Sequence, residues 1–237
     1  MNIYKLRIFV FNLFKSIIGK KASMKMLFKL KQAKLEKSDI IYIHIPKAGG
    51  TSIAHTLYGE RIGHFSIANF IDFWGWENVQ KRTVFAVVRN PYERLYSAYN
   101  FVKSGGTKDG SVSNLSLYKG SQFKNFNTFV QEWLVKQDLL KLDVLFRPQT
   151  FFTDLPPNKM LNIHFFKLED LGKTEEFLSQ LLSKEVKIGK KNQNLESKKS
   201  KLYSIIDEKS IQIINQLYNQ DFIEFDYEKL EILSANN

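Results

Sequence analysis

The sequence predicts an α/β fold, a parallel β-sheet flanked by helices in three layers. Two observations predict it. Asp39–Ile45, Thr83–Val88 and Asn162–Leu168 are short apolar runs rich in β-branched and aromatic residues, and helical stretches separate them. Such strand–turn–helix alternation sets successive strands parallel and covers the sheet with helices. Of the 237 residues, 43% are hydrophobic and 25% charged, a composition that supports one compact domain with a sizeable core.

Residues 1–37 stand apart in charge. They hold ten lysines and arginines against one acid, Glu36, a balance of +9 out of the total +11, which leaves +2 for residues 38–237. The body is nearly neutral, so the basic character does not point to a nucleic-acid partner. Ile3, Leu6, Phe9, Val10, Leu13, Phe14, Ile17 and Ile18 recur at helical spacing with cations between them. We read residues 1–37 as a basic amphipathic arm, suited either to an anionic membrane surface or to packing on the domain that spans 38–237. The run Ile8–Phe11 is far shorter than the ~20 apolar residues of a membrane span, and no cleavable leader pattern is seen.

The remaining elements follow in order. Asp39–Ile45 is a buried strand, and Pro46–Ser52 a turn opening a helix through Tyr58, capped by Thr51 or Ser52. Thr83–Val88 is the second strand, and Asn90-Pro91 starts the next helix. Lys103–Gln122, rich in Gly, Ser, Lys and Asn, reads as a long mobile surface loop, and Phe126–Gln137 as an amphipathic helix. The third strand, Asn162–Leu168, precedes a helix over Glu175–Leu182, a basic connector over Lys184–Lys201 and a last helix over Leu202–Tyr218. Ligands of such sheets bind beyond the carboxyl ends of the strands, which is where Gly49-Gly50 and Arg89 fall.

Two motifs at those strand ends carry chemistry. In Pro46-Lys47-Ala48-Gly49-Gly50-Thr51-Ser52, glycines let backbone N–H groups approach an anion and the following helix adds its positive end. Lys47 supplies a charge, and Thr51 and Ser52 supply hydroxyls. This makes the sandwich P-loop-like, but the lysine precedes the glycines, the reverse of an ordinary ATPase or GTPase. The second motif runs Val88-Arg89-Asn90-Pro91-Tyr92-Glu93-Arg94-Leu95-Tyr96-Ser97-Ala98-Tyr99. Arg89 at a strand end and Ser97 on the helix beyond suit a second phosphate. Two anion sites on one edge imply a ligand with two separated anionic groups.

Taken together, strand-Pro-Lys-x-Gly-Gly-Thr-Ser-helix followed by Arg-x-Pro-x-Glu-Arg-Leu-x-Ser-Ala-Tyr resembles sulfotransferases that use 3′-phosphoadenosine 5′-phosphosulfate (PAPS), in particular the carbohydrate branch of heparan sulfate 2-O-, 6-O- and chondroitin sulfotransferases. Gly63-His64-Phe65, Arg147-Pro148-Gln149, Phe166–Leu171 and Tyr218-x-x-Asp221-Phe222-x-x-Phe225-x-Tyr227 resemble further markers, so the likeness covers roughly 39–228. The resemblance implies a PAPS co-substrate and a carbohydrate hydroxyl as acceptor. It implies that Lys47, Ala48, Gly49, Gly50, Thr51 and Ser52 hold the 5′-phosphosulfate, with Lys47 also stabilising the leaving phosphate. Arg89 and Ser97 are implied for the 3′-phosphate. Ala48 departs from the threonine common in the family. The segment around Arg147 is implied near the acceptor.

A base must take the acceptor's proton. His64 matches the family's catalytic histidine and follows an expected strand. His44 reads as a structural residue inside a strand, His55 as a surface residue, and His164 as part of the third strand. Glu60, Asp72 and Glu77 are the carboxylate alternatives, and Arg94 either reaches the ligand or pairs with Glu93 or Glu169. With no cysteine in the chain, disulfides and thiolate metal sites are excluded, and no metal is expected. Two competing classes stay open: a P-loop-like phosphotransferase, which would need an acidic Mg²⁺ site, and a peripheral membrane protein acting through the arm. A cytoplasmic enzyme, peripheral on the inner face of a membrane, is the expected setting.

Overall fold

A computed structural model describes residues 19–107, 110–112, 115–189 and 195–231. The sheet has three parallel strands, β1 (Ile40–Ile43), β2 (Thr83–Val88) and β5 (Ile163–Lys167), in the order β1-β2-β5. Ile40 pairs with Thr83 and Val84 with Ile163, and the second ladder ends at Val88 opposite Lys167. Every residue of β1 is buried. β1 lies on an edge, and its free peptide groups are met by a side chain: Tyr58 Oη accepts from Tyr42 N at 3.0 Å and donates to Ile40 O at 3.0 Å.

The helices are placed by local signals. α1 (Lys20–Leu35) turns Phe28 into a ring cluster with Phe65, Phe70 and Phe73, at centroid distances of 5.1, 5.4 and 5.4 Å. Lys31 and Lys34 on α1 pair with Glu60 at 2.8 and 3.0 Å. α2 spans Gly50–Tyr58, and α3 (Ile67–Trp74) starts on a capping box between Ser66 and Asn69. A single turn, α4 (Trp76–Val79), leads to β2. α5 (Pro91–Lys103) begins where Asn90 accepts from Tyr92 N and Glu93 N, with Pro91 in the first turn as expected. After a short hairpin (β3 Gly106–Thr107, β4 Gly110–Ser111) come α6 (Phe126–Thr128), α7 (Thr150–Thr153), α8 (Leu171–Leu182), α9 (Leu195–Ile205), α10 (Glu208–Leu217) and α11 (Asn219–Glu224).

Two apolar clusters result. One wraps the sheet and includes Phe28 and Leu35 of α1; the other joins α5 to Phe126, Phe129, Leu202, Ile214 and Phe222. α5 carries the chain from the β2 strand end into the second cluster, so the strand ends lie where the two meet.

Several expectations are corrected. α2 begins at Gly50 with Gly49 in the left-handed conformation before it (φ 76°), so neither Thr51 nor Ser52 is its cap. Residues 60–66 before α3 are irregular, not a strand. Most described residues of the Lys103–Gln122 segment are exposed, as expected of a surface loop, but Tyr118 anchors it: with Phe123 just beyond, it sinks into the second cluster beside Trp133. Phe126–Gln137 is α6, then a π-turn over Phe129–Trp133, then a 3-10 turn over Leu134–Lys136. The connector becomes helical at Leu195, since Glu, Lys and Leu favour helix and Leu202 anchors the turn in the core. The expected last helix breaks in two at Asp207, which caps α10 through Ser210 N at 2.8 Å. The apolar pattern of Ile3–Ile18 lies outside the described residues.

Candidate active site

An open cleft of about 410 Å³ lies beyond the strand ends. Lys47, Gly49, Gly50, Thr51, Ser52, His64, Arg89 and Ser97 all line it, so eight of the nine residues singled out from the sequence meet in one place. Ala48 does not. Its methyl is buried in the sheet cluster, and its N–H turns inward to Ile45 O at 3.5 Å. A smaller cavity of about 150 Å³ opens from the same wall and shares Lys47, Arg89 and Ser97, adding Tyr96, Asn100 and Lys198.

The loop after β1 is shaped by close approach. Lys47 adopts a left-handed backbone, φ 67°, a conformation that costs a non-glycine residue roughly 1–2 kcal/mol and that turns its side chain into the cleft. A Cβ on Gly50 would overlap the His44 ring and the Tyr42 hydroxyl, and one on Gly49 would overlap Leu168. The glycines therefore let α2 start directly against β1. The N–H groups of its first turn have no partner within the helix and face an anion-sized space at its positive end.

Among the described residues, Lys47, Arg61, Arg89, Lys198 and Lys199 line this cleft and the smaller cavity beside it. The Lys47 ammonium sits 4.3 Å above the Phe101 ring. Burial pushes its pKa down to about 8, helped by the charges of Arg89, Lys198 and Arg61. Glu93 is the acid among the described lining residues, and it is engaged by Arg89 Nη2 at 3.1 Å. Arg89 itself is buried, and its Nε–H has no partner among the described residues. The unpaired Arg89 guanidinium N–H and the free N–H groups of the α2 start both lie on the cleft lining, and each suits an anion. The residues present thus fit the two anionic groups of the ligand that the two motifs imply.

His64 and His44 form a reciprocal pair. His64 Nδ1 donates to His44 O at 2.9 Å, and His44 Nδ1 donates to Gly63 O at 3.1 Å, with the rings 4.3 Å apart. A carbonyl accepts only, so both Nδ1 atoms carry the proton and both Nε2 atoms keep a lone pair. Burial depresses both: His64 falls to about 4, against the pull of its bond to His44 O, and His44 falls well below the usual histidine range, aided by His64. The expectation that His44 is a strand residue is corrected: β1 stops at Ile43, and the His44 ring lies in the cleft wall.

His55 is exposed, and His164 packs at a tilt against Phe177, ring centroids 5.1 Å apart, away from the cleft lining. Glu60 is tied to Lys31 and Lys34, and Asp72 to Lys21 at 3.2 Å; neither they nor Glu77 line the cleft. Arg94 meets neither expectation. It is fully buried and donates to Leu145 O at 3.3 Å and Arg147 O at 2.6 Å. Sequence reasoning missed Arg61, Lys198 and His44. Arg61 has a visible signal, since it lies in the same return segment as His64; Lys198 is masked by the lysine-rich run around it. Lys190, Lys191, Asn192 and Asn194 of the basic connector, which from sequence either touch the ligand or form a solvated charge run, lie outside the described residues.

A parallel sheet with a Lys-x-Gly-Gly turn and an arginine at its strand ends defines an α/β protein with a cation-lined cleft at that edge. The sequence matches the model described as "Sulfotransferase family" over residues 35–228, and the chain belongs to that family, whose members transfer a sulfuryl group. No curated protein and no solved structure gives a match.

Proposed function

We propose that this chain transfers the sulfuryl group of PAPS to a hydroxyl of a carbohydrate acceptor, on a polysaccharide, glycan or glycolipid. The observation that carries the reading is the convergence of Lys47, the Gly49–Ser52 turn, Arg89, Ser97 and His64 on one cleft. In this reading the N–H groups of Gly49–Ser52, the Thr51 and Ser52 hydroxyls and Lys47 hold the 5′-phosphosulfate. Arg89 and Ser97 hold the 3′-phosphate. The inward N–H of Ala48 takes it out of the set first assigned from the motif.

The acceptor oxygen attacks sulfur in line as the sulfur–oxygen bond to the phosphate breaks. His64 Nε2 takes the hydroxyl proton, and the ammonium of Lys47 meets the charge that develops on the leaving phosphate. The products are a sulfate ester and 3′,5′-ADP. The carbohydrate class is supported by the motifs around Lys47, Arg89 and His64, which resemble the carbohydrate branch. We further propose a cytoplasmic enzyme that is peripheral on the inner face of a membrane through residues 1–37. In support, the outward side of α1 carries Lys21, Lys25 and Lys29 beside exposed Met26 and Leu30. Among the described residues no helix is long and apolar enough to cross a membrane.

Thermal unfolding with 3′,5′-ADP tests the donor assignment. Saturation at 100-fold over Kd should stabilise the protein by about 2.7 kcal/mol with chelator present. A shift from ATP–Mg²⁺ and none from millimolar 3′,5′-ADP would overturn it. Mass spectrometry of glycans made with and without the enzyme tests the acceptor class.

A further inference from the structure

The Arg147-Pro148-Gln149 segment and Asp221 carry buried polar groups that the proposed chemistry does not use. The β2–β5 ladder ends at Val88 opposite Lys167, so the peptide groups of Arg89 lie one residue beyond any strand partner. The Gln149 side chain supplies both missing partners: its Oε1 accepts from Arg89 N at 2.9 Å, and its Nε2 donates to Arg89 O at 2.8 Å. Glu169 accepts from the next peptide, Asn90 N, at 2.9 Å. A fully buried amide thus acts as one residue of an extra strand, fixing the peptide from which the Arg89 side chain departs.

Gln149 is itself held. Fully buried Asp221 accepts from Gln149 N at 2.8 Å, Thr150 N at 3.0 Å and Thr150 Oγ1 at 3.2 Å. Arg94 secures the carbonyls of Leu145 and Arg147, and Tyr218 Oη donates to Phe146 O at 2.7 Å. Buried polar networks are costly unless every member is satisfied, and once satisfied they define one geometry. Here the backbone of the segment is held, while single guanidinium nitrogens of Arg94 (Nε) and Arg147 (Nη2) lack partners, and the relay ends on Arg89, whose Nη2 is bound to Glu93 and whose Nε–H is unpartnered.

We infer that Gln149, braced by Asp221, is a positioning residue for Arg89, and that this relay sets how strongly the site discriminates nucleotides bearing a 3′-phosphate. The inference rests on the reading of Arg89 as the 3′-phosphate ligand. Gln149 does not line the cleft, so its effect on a ligand must pass through Arg89.

The experiment compares the affinity of the full-length protein for 3′,5′-ADP and 5′-AMP by calorimetry. The two nucleotides differ only in the 3′-phosphate. Gln149→Met removes both side-chain hydrogen bonds and should lower 3′,5′-ADP affinity about tenfold, with 5′-AMP affinity unchanged. Arg89→Ala should abolish the preference, and adding Gln149→Met to it should lower the preference no further, because residues acting as a unit are not additive. If Arg89→Ala leaves the preference intact, the assignment of Arg89 fails. If Arg89→Ala abolishes it and Gln149→Met weakens both nucleotides equally, or neither, the relay is overturned. Should Gln149→Met not fold, Gln149→Glu keeps the acceptor for Arg89 N and loses the donor to Arg89 O; an unchanged preference in that variant overturns the relay just as well.

Discussion

The imidazole of His64 is held by the backbone of His44: its Nδ1 donates to the His44 carbonyl at 2.9 Å. The bond spans twenty residues of sequence and joins the end of β1 to the loop before α3. The acceptor is a peptide oxygen, so it cannot change protonation state, and His64, which lines the cleft, keeps its lone pair on Nε2. An aspartate in that place would raise the imidazole pKa. A carbonyl in a buried setting leaves it low, at about 4. The arrangement leaves an imidazole that is already neutral at physiological pH, the form that the proposed base role requires.

His64→Ala should therefore lower turnover by ~100- to 10,000-fold, the usual contribution of a positioned general base, while 3′,5′-ADP binding persists. In the wild type, kcat/KM for the donor, which reports the free enzyme, should show no acid limb from this group until pH falls toward 4. A stable variant that binds the nucleotide and turns over normally would place the base elsewhere.

The same two histidines make the unliganded fold sensitive to acid. Both have folded-state pKa values below the ordinary 6.5, so below pH 6.5 the unfolded chain binds more protons. Stability should decline as pH falls from about 6.5 toward 4. Urea midpoints across that window measure it, and His64→Gln, which cannot titrate there, should flatten part of the slope. An equal slope in the variant would mean that His64 is not held neutral.

Much of this site was legible because its signals are local. The β-branched runs become β1, β2 and β5, and Asn90-Pro91 caps α5, because strand and cap propensities act over a few residues. The Gly49-Gly50 turn was readable for the same reason. Its exact helix start was not, because what fixes it is contact with His44, Tyr42 and Leu168, two of which are side chains of the preceding strand end and the third more than a hundred residues away. The resemblance marks the Arg147-Pro148-Gln149 segment but not what Gln149 does: its partners Arg89 and Asp221 are 60 and 72 residues distant. Lys103–Gln122 has the composition of a surface loop and most of its described residues are exposed, but the composition does not show that Tyr118 anchors it in the second cluster.

Membrane association should depend on the outward side of α1. Met26 and Leu30 are 46% and 70% exposed and flanked by Lys21, Lys25 and Lys29. Each lysine at an anionic surface contributes about 1 kcal/mol, screened by salt. The full-length protein should sediment with phosphatidylserine-containing vesicles at low salt and not with neutral ones. The double substitution Met26→Glu, Leu30→Glu should reduce that binding without altering 3′,5′-ADP affinity. Equal sedimentation of both proteins, or none of either, would remove α1 from the membrane proposal.

Lys47 should take up a proton when the nucleotide binds. In the free protein its pKa is about 8, held down first by burial and then by the neighbouring charges of Arg89, Lys198 and Arg61. At pH 8 roughly half of the side chains are neutral. Phosphates placed beside the ammonium favour its charged form and raise its pKa. Binding of 3′,5′-ADP should thus absorb about half a proton at pH 8 and close to one at pH 9, where the nucleotide's own phosphates are fully ionised. Affinity should accordingly weaken as pH rises above 8, by at most about tenfold per unit. Calorimetry in two buffers of different ionisation enthalpy counts the protons directly. Lys47→Arg keeps the positive charge but does not titrate in this range, so its binding should absorb none, and its affinity should be flat from pH 7.5 to 9. Proton uptake that survives in Lys47→Arg would mean that another group titrates and that Lys47 is charged throughout.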